Sequence, residues 1–285
     1  MVGVGAGLRH YEADGAAVLD GYGIEEMCTA ARGQPLIPWP NRLRDGSYRF
    51  EGCEHQLPLS EPAKLNAIHG LVRWSEWTPR LVEPSRLTMG HKLFPQTGYP
   101  FLLELEIAYE LSDQGLRVEF TVRNAGNLTA PVGVGRHPYL LPAGGSLDQA
   151  VLKLPAALRL TTDARQIPVG AAPVEGTVYD FRAGRKIGST SLDTAFTGLR
   201  REPDGRCWLR LSGEERTVGV WLDERFKYVM AFTGDSLPDP EARRRSLGVE
   251  PMSCPPNAFQ TGQDLVSLRP GEPWRAAWGI EARRA

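Results

Sequence analysis

The most regular feature of the chain is an alternation of apolar and polar residues. Leu103, Leu105, Ile107, Tyr109 and Leu111 alternate with Glu104, Glu106, Ala108 and Glu110. A period of two puts the first set on one face of a strand and the second on the other. Ser112 to Gly115 supplies a turn, after which Leu116, Val118, Phe120 and Val122 alternate with Arg117, Glu119, Thr121 and Arg123. The pattern predicts a half-buried antiparallel hairpin, its outward face carrying acids on one strand and mainly arginines on the other. Shorter runs at Tyr48–Phe50, Trp208–Leu211, Thr217–Leu222, Phe226–Phe232 and Trp274–Ile280 predict further strands. The 31 Gly and 23 Pro along the chain leave little room for helices. The best helical fragment, Asp239–Arg243, has an acidic N-cap and a Pro at the first helical position, but extends only a turn or two. The expected class is all-β, a large antiparallel β-sandwich. With no repeat, linker or low-complexity tract, residues 1–285 are expected to form one domain.

Composition narrows the functional classes. Hydrophobic residues make up 41% of the chain, enough to fill such a core. A formal net charge of −1 supplies no field to draw the protein to nucleic acid or an anionic membrane. The one dense basic run, Arg243-Arg244-Arg245, reads as solvated surface. Cys28, Cys53, Cys207 and Cys254 are scattered and form no CxxC pair, as suits reduced thiols. No run approaches the roughly 18 apolar residues of a membrane span, and the first residues lack an apolar leader. A soluble cytoplasmic protein is expected.

Five side chains stand in company suited to chemistry. His69 sits in Asn66-Ala67-Ile68-His69-Gly70, where the glycine permits close approach of another backbone or a ligand. His137 sits in Gly133-Val134-Gly135-Arg136-His137-Pro138-Tyr139, an irregular segment after a strand-like stretch. Glu250 ends an apolar run at Pro251, and Asp193 is a single acid among apolar and small residues. Arg42 closes the stiff segment Pro38-Trp39-Pro40-Asn41-Arg42, which would hold its guanidinium in a fixed direction. Each has an ordinary counterpart: a structural histidine, a turn carboxylate, a salt-bridged arginine. Gly3, Gly5 and Gly7 imitate part of a dinucleotide fingerprint, but no strand precedes them and no βαβ unit follows. No phosphate loop, nucleophile elbow or zinc-peptidase signature is present, and no histidine pair has helical metal-ligand spacing. No cofactor and no metal is expected.

Taken in order, these segments resemble the aldose 1-epimerase (galactose mutarotase-like) family. The resemblance is carried by Pro38 to Arg42 followed by Gly46 to Phe50; Asn66 to Gly70 followed by Trp74; Gly98 to Phe101; Gly135 to Tyr139; Leu192 to Phe196; Val249 to Pro251 followed by Asn257 to Phe259; and Leu268 to Glu272. It implies a β-supersandwich and interconversion of the α and β anomers of a free aldohexose without a cofactor. It further implies that Glu250 is the general base and His137 the general acid, with Arg42, His69 and Asp193 binding the sugar. On that reading Glu250 is ionised and His137 protonated at rest, and the partner is a small sugar, the protein being a monomer or homodimer. The wording His137-Pro138-Tyr139 is similar to a bacterial branch of the family, which bears on sugar specificity more than on chemistry.

Three other readings stand beside it. A hexose-6-phosphate or sulfo-sugar epimerase would need cations, which Arg73, Arg136 or Arg243 to Arg245 could supply. A glycoside hydrolase would use Asp193 and Glu250 as paired carboxylates. A non-catalytic carbohydrate-binding protein would need only the scaffold. Trp39, Trp74 and Trp77 are candidates for stacking on a sugar, with core packing as the alternative for each.

Overall fold

The computed structural model describes residues 1–284. Two antiparallel sheets dominate it. The nine-stranded sheet runs in the order Arg185–Lys186, Val151–Lys153, Cys207–Ser212, Arg216–Leu222, Pro273–Arg284, Gly115–Asn124, Leu103–Ser112, Arg86–Leu93 and Thr78–Val82. The eight-stranded sheet runs Pro168–Pro173, Ala156–Thr162, Asp193–Leu199, Tyr228–Phe232, Leu247–Met252, Gly135–Arg136 and Pro35–Leu36, with Tyr139–Leu140 also paired to Leu247–Met252.

The predicted hairpin is present in the expected register. Leu103–Ser112 pairs with Gly115–Asn124, and Leu105, Ile107 and Tyr109 lie opposite Val122, Phe120 and Val118. On its outward face Glu104 is opposite Arg123, to which it is ion-paired at 3.1 Å, and Glu110 is opposite Arg117. The inward residues of this sheet, among them Ile107, Phe120, Val220 and Trp278, pack in one apolar cluster with Phe196, Val229, Ala231 and Val249 of the other sheet. Burial of that shared layer removes hundreds of Å² of apolar surface from water and is the main force holding the sheets together.

One reading of the sequence is met and another corrected. The fragment Asp239–Arg243 closes a single turn, of 3₁₀ type, at Pro240–Ala242, with the Asp239 side chain accepting from the Glu241 N–H at 3.0 Å. The run Arg243 to Arg245 is not free surface. Arg244 bridges Asp148 and Asp235 at 2.7 and 2.8 Å, and Arg245 reaches the buried Asp20 at 2.7 Å. The arginines follow one another in sequence but tie different loops, because the chain turns sharply here, with Arg244 at φ +52°.

The eight-stranded sheet departs from simple alternation. Every residue of Leu247–Met252 is buried. One face of this strand meets the apolar core; on the other, Glu250 lies near His69, which belongs to the paired segments around residues 37–42 and 66–71. Those segments touch through Gly70, which has φ +70° and bridges to Ile37, while the Leu71 N–H donates to the Ile37 carbonyl at 2.7 Å. A Cβ on Gly70 would lie 2.0 Å from the Ile37 carbonyl oxygen. Gly70→Ala is therefore expected to cost at least ~3 kcal/mol of folding stability, from backbone strain and a backbone clash together. The control is Gly52→Ala, also at positive φ (+84°) but with open space around its Cβ; it should cost about 1 kcal/mol. Chemical denaturation of the two variants measures the difference, and equal losses would contradict the close approach.

Candidate active site

Sheet register gathers the candidate residues on one face. Asp193 pairs with Phe232, Ala195 with Met230, and Met230 with Glu250. Because side chains two apart share a face, Asp193, Ala195, Met230, Gly248 and Glu250 all project to the side opposite the core. Leu160, Ala195, Tyr228, Met230 and Met252 form a small separate apolar cluster there. His137 arrives from the neighbouring strand Gly135–Arg136, and its ring lies against Gly248, whose hypothetical Cβ would be 3.5 Å from His137 Cε1.

All five residues singled out in the sequence converge or border here. His137 Nε2 is 3.2 Å from Glu250 Oε1, with the two side chains only 6% and 3% exposed. The His69 ring meets the His137 ring edge-on at 5.4 Å. Arg42 is held by a bidentate pair with Glu61, Nε and Nη2 donating to its two carboxylate oxygens at 2.8 Å each. Asp193 lines a recess with Asn41, Arg42, Gln166 and Met230, and its carboxylate accepts from the Gln166 side-chain amide.

Local backbone explains how His69 is aimed. Asn41 and His69 both have positive φ, 57° and 63°. Their backbones are tied by the His69 N–H donating to the Asn41 carbonyl at 2.9 Å. The Asn41 N–H donates in turn to His69 Nδ1 at 3.2 Å. A ring nitrogen that accepts carries no proton, so the neutral His69 ring has its proton on Nε2. His69, His137 and Glu250 each offer an atom within 4.8 Å of the others, a spacing a metal ion could bridge. The hydrogen bond at Nδ1 argues against it: a ligating histidine donates from its second nitrogen, whereas His69 accepts there and presents an N–H donor.

Four further residues border the site: Glu61 and Gln166 were not singled out in the sequence, Tyr139 stood there only as part of a motif, and Arg73 only as a possible cation for an anionic sugar. Glu61 orients Arg42, and Gln166 touches Asp193 while receiving Lys64 at its own carbonyl. The Tyr139 ring stacks on His137 at 4.9 Å and 8° between planes, with the Arg32 guanidinium 4.7 Å from its other side. Arg73 makes one long contact with the Gln34 side-chain carbonyl, 3.4 Å, and no ion pair among the described residues. Of the tryptophans, Trp39 and Trp77 are core residues, 3% and 1% exposed, and Trp74 is 55% exposed.

Electrostatics at the pair run against the expected ionisation. Burial, reinforced by Asp193 and opposed by Arg42, pushes the Glu250 carboxyl up to about 8. Burial, with the Arg73 and Arg32 charges, brings His137 down to about 3. Burial and then His137, Arg73 and Arg42 hold His69 well below the usual imidazole range. Both shifts favour the neutral pair, with the shared proton on the carboxyl rather than the imidazole. The reason is that an ion pair taken out of water loses more solvation than two neutral partners do. Arg42 itself is held above its ordinary value, the effect of burial being outweighed by Glu61 and the nearby Asp193 and Glu250 carboxylates.

Comparison with known proteins identifies the family and the fold. A sequence model of the family described as aldose 1-epimerase matches residues 1–281. The uncharacterized protein YihR of Escherichia coli strain K12 is 36% identical over 286 aligned residues, covering 100% of this chain and 90% of that one. Human galactose mutarotase is 29% identical over 168 residues, 56% of this chain and 47% of that protein. Among solved structures, galactose 1-epimerase from Lactobacillus acidophilus NCFM superposes with a TM-score of 0.82 at 21% identity, covering 99% of this chain and 90% of that one. A GalM/aldose epimerase homologue from C. elegans gives 0.87 at 16% identity, covering 99% and 94%. The chain belongs to the aldose 1-epimerase family, and its fold is that of the galactose mutarotase-like proteins.

The two shifted groups make stability depend on pH in a way that can be signed. Glu250 binds its proton more tightly folded than unfolded, so its contribution is present below about 4.5 and is lost as pH rises through about 8. His137 is the reverse: its contribution is present above about 6.5 and lost as pH falls through about 3. Between 6.5 and 8 only the Glu250 slope remains. Glu250→Gln, which cannot ionise, is therefore expected to be more stable than the parent at pH 8, with that advantage shrinking at pH 5. Thermal unfolding at the two pH values checks this; a pH-independent difference would contradict the buried carboxyl.

Proposed function

We propose that this protein is a mutarotase that interconverts the α and β anomers of a free aldohexose. The observation that carries the reading is the buried His137–Glu250 contact at 3.2 Å, flanked by Arg42, His69 and Asp193. The anomeric hydroxyl and the ring oxygen of a pyranose are both bonded to C1, so two proton-transfer groups serving them must sit side by side. His137 Nε2 and Glu250 Oε1 meet that requirement.

In the proposed cycle Glu250 takes the proton of the anomeric hydroxyl while His137 gives one to the ring oxygen. The C1–O5 bond breaks and the aldehyde forms. After rotation about C1–C2 the ring closes on the other face: His137 recovers its proton from O5, and Glu250 returns one to the carbonyl oxygen. The pair holds one proton at the start, hands it through the sugar and ends with one, so no net charge crosses the site. Burial favours the neutral pair in the free site, and Arg42 and the sugar's hydroxyl donors would draw the proton toward His137 once substrate is bound. His69 Nε2–H is placed to donate to a sugar oxygen as negative charge develops. Asp193 would accept from sugar hydroxyls, with Gln166 yielding or sharing that acceptor.

A second reading is favoured by one feature. Arg73 is a half-buried guanidinium beside His69 and His137 with no carboxylate of its own. An aldose bearing a phosphate or sulfonate group would supply the missing anion. Comparing anomer exchange of free, 6-phosphorylated and 6-sulfonated hexoses by NMR distinguishes the two. Faster exchange of the anionic sugars, lost in Arg73→Ala, would favour the second.

Glu250→Gln and His137→Asn should each lower kcat by about 10²–10⁴-fold, the usual worth of a proton-transfer group, while circular dichroism stays unchanged. Polarimetry of freshly dissolved α-aldose measures this, and full activity in either variant would overturn the assignment. Glu61→Gln is expected to act more mildly, raising KM more than it lowers kcat, because it loosens Arg42 without removing a proton carrier.

A further inference from the structure

A second concave site lies at the other end of the strands that carry Asp193. Its cavity is about 510 Å³, lined by Lys153, Arg200, Arg201, Trp208 and Arg210 together with Arg182, the single acid Glu202 and small or proline residues. Gly198, also on its wall, shares the strand Asp193–Leu199 with Asp193. Five strand residues at ~3.3 Å each separate the two by roughly 17 Å. The strand Ala156–Thr162 likewise contributes Ala157 to this cavity and Leu160 and Thr162 to the recess beside Asp193.

The charge balance of this cavity is uneven. Arg210 pairs with Glu202 at 2.9 Å, and Arg182 with Asp180 at 2.8 Å. Arg201 is fixed by donating to the carbonyl oxygens of Leu222 and Phe226 at 3.0 and 2.9 Å, which orients it but leaves its charge without a carboxylate. Lys153 and Arg200 have no ion pair and no side-chain hydrogen bond among the described residues. Three cations therefore face one cavity without a matching anion, against a chain whose net charge is −1.

Sheet register builds the wall. Trp208 and Arg210 point outward because Cys207, Leu209 and Leu211 point into the core, and Lys153 lies directly opposite Arg210. Gly219 leaves room for the indole: a Cβ there would be 3.1 Å from the Trp208 ring. The result is an apolar aromatic wall beside fixed and free cations.

We propose that this cavity is a binding site, separate from the sugar site, for a phosphorylated small molecule. Arginine and lysine side chains lining one recess suit a tetrahedral oxyanion, which accepts several charge-assisted hydrogen bonds at once. The volume falls in the range of metabolite pockets, and Trp208 offers a surface for the apolar part of the ligand. An extended polyanion would call for a long basic stripe rather than a single bounded recess.

The test is calorimetric titration of the full chain with inorganic phosphate, with a hexose 6-phosphate and with the unphosphorylated hexose. Both phosphate-bearing probes should bind saturably, with affinity that falls as salt rises. The double variant Lys153→Glu/Arg200→Glu should weaken that binding at least about tenfold and leave mutarotation of the free sugar unchanged, since both side chains are exposed. Arg73→Ala, at the sugar site, should leave it intact. Absence of saturable phosphate binding would overturn the proposal. So would binding that survives the double reversal, or that is lost in Arg73→Ala or displaced by excess free sugar.

Discussion

Glu250 and His137 are kept in contact with almost no exposure to water, and much of the surrounding structure can be understood as accommodating that choice. An exposed carboxylate and imidazole would both be ionised over part of the neutral range and would exchange protons with solvent. Buried together, they favour the state with one proton between two neutral partners. Such a pair is costly to keep, because its proton preferences differ between folded and unfolded chains. It is also what an acid–base cycle of the proposed kind needs: two adjacent proton carriers, shielded from competing water, that regain their starting proton count.

Holding them there requires a sheet strand with two buried faces. Leu247–Met252 has its core side in the common apolar layer and, on its other side, Glu250 near His69, whose chain segment is joined to the one before Arg42 at Gly70 and Ile37. The contact through Gly70 brings Asn41 and His69 into reciprocal hydrogen bonding, which sets the His69 tautomer and thereby the sign of what it presents to a ligand. Glu61 fixes Arg42 in the same way from behind. Positive φ at Asn41, His69 and Gly70 is local strain tolerated where the backbone must turn sharply toward the site.

The cations around the pair work in both directions. Arg42 draws Glu250 toward ionisation; Arg73 and Arg32 keep a second positive charge off His137. The Arg32–Tyr139–His137 stack also restricts the imidazole to one orientation. Arg32 is in turn anchored near Asp20, which takes Arg245 and the Ser246 hydroxyl. A basic run that looked like plain surface is thus connected, through one buried carboxylate, to the ring that faces Glu250.

Period-two alternation carried the β class and the register of the long hairpin, because a strand with one wet face must write its burial into every second residue. The five candidate side chains were visible as unusual residues in stiff or glycine-rich company, and ordered resemblance to a family gave them roles. Tertiary structure alone decided the rest. Glu61, Gln166, Tyr139 and Arg73 acquire meaning only from what lies beside them, and nothing in their local sequence distinguishes an arginine that will be paired from one that will not. The protonation of Glu250 and His137 belongs to the same class. A pKa is set by the surrounding dielectric and charges, which come from chain segments far apart in sequence, so the residue types were legible in the chain and the position of their proton was not.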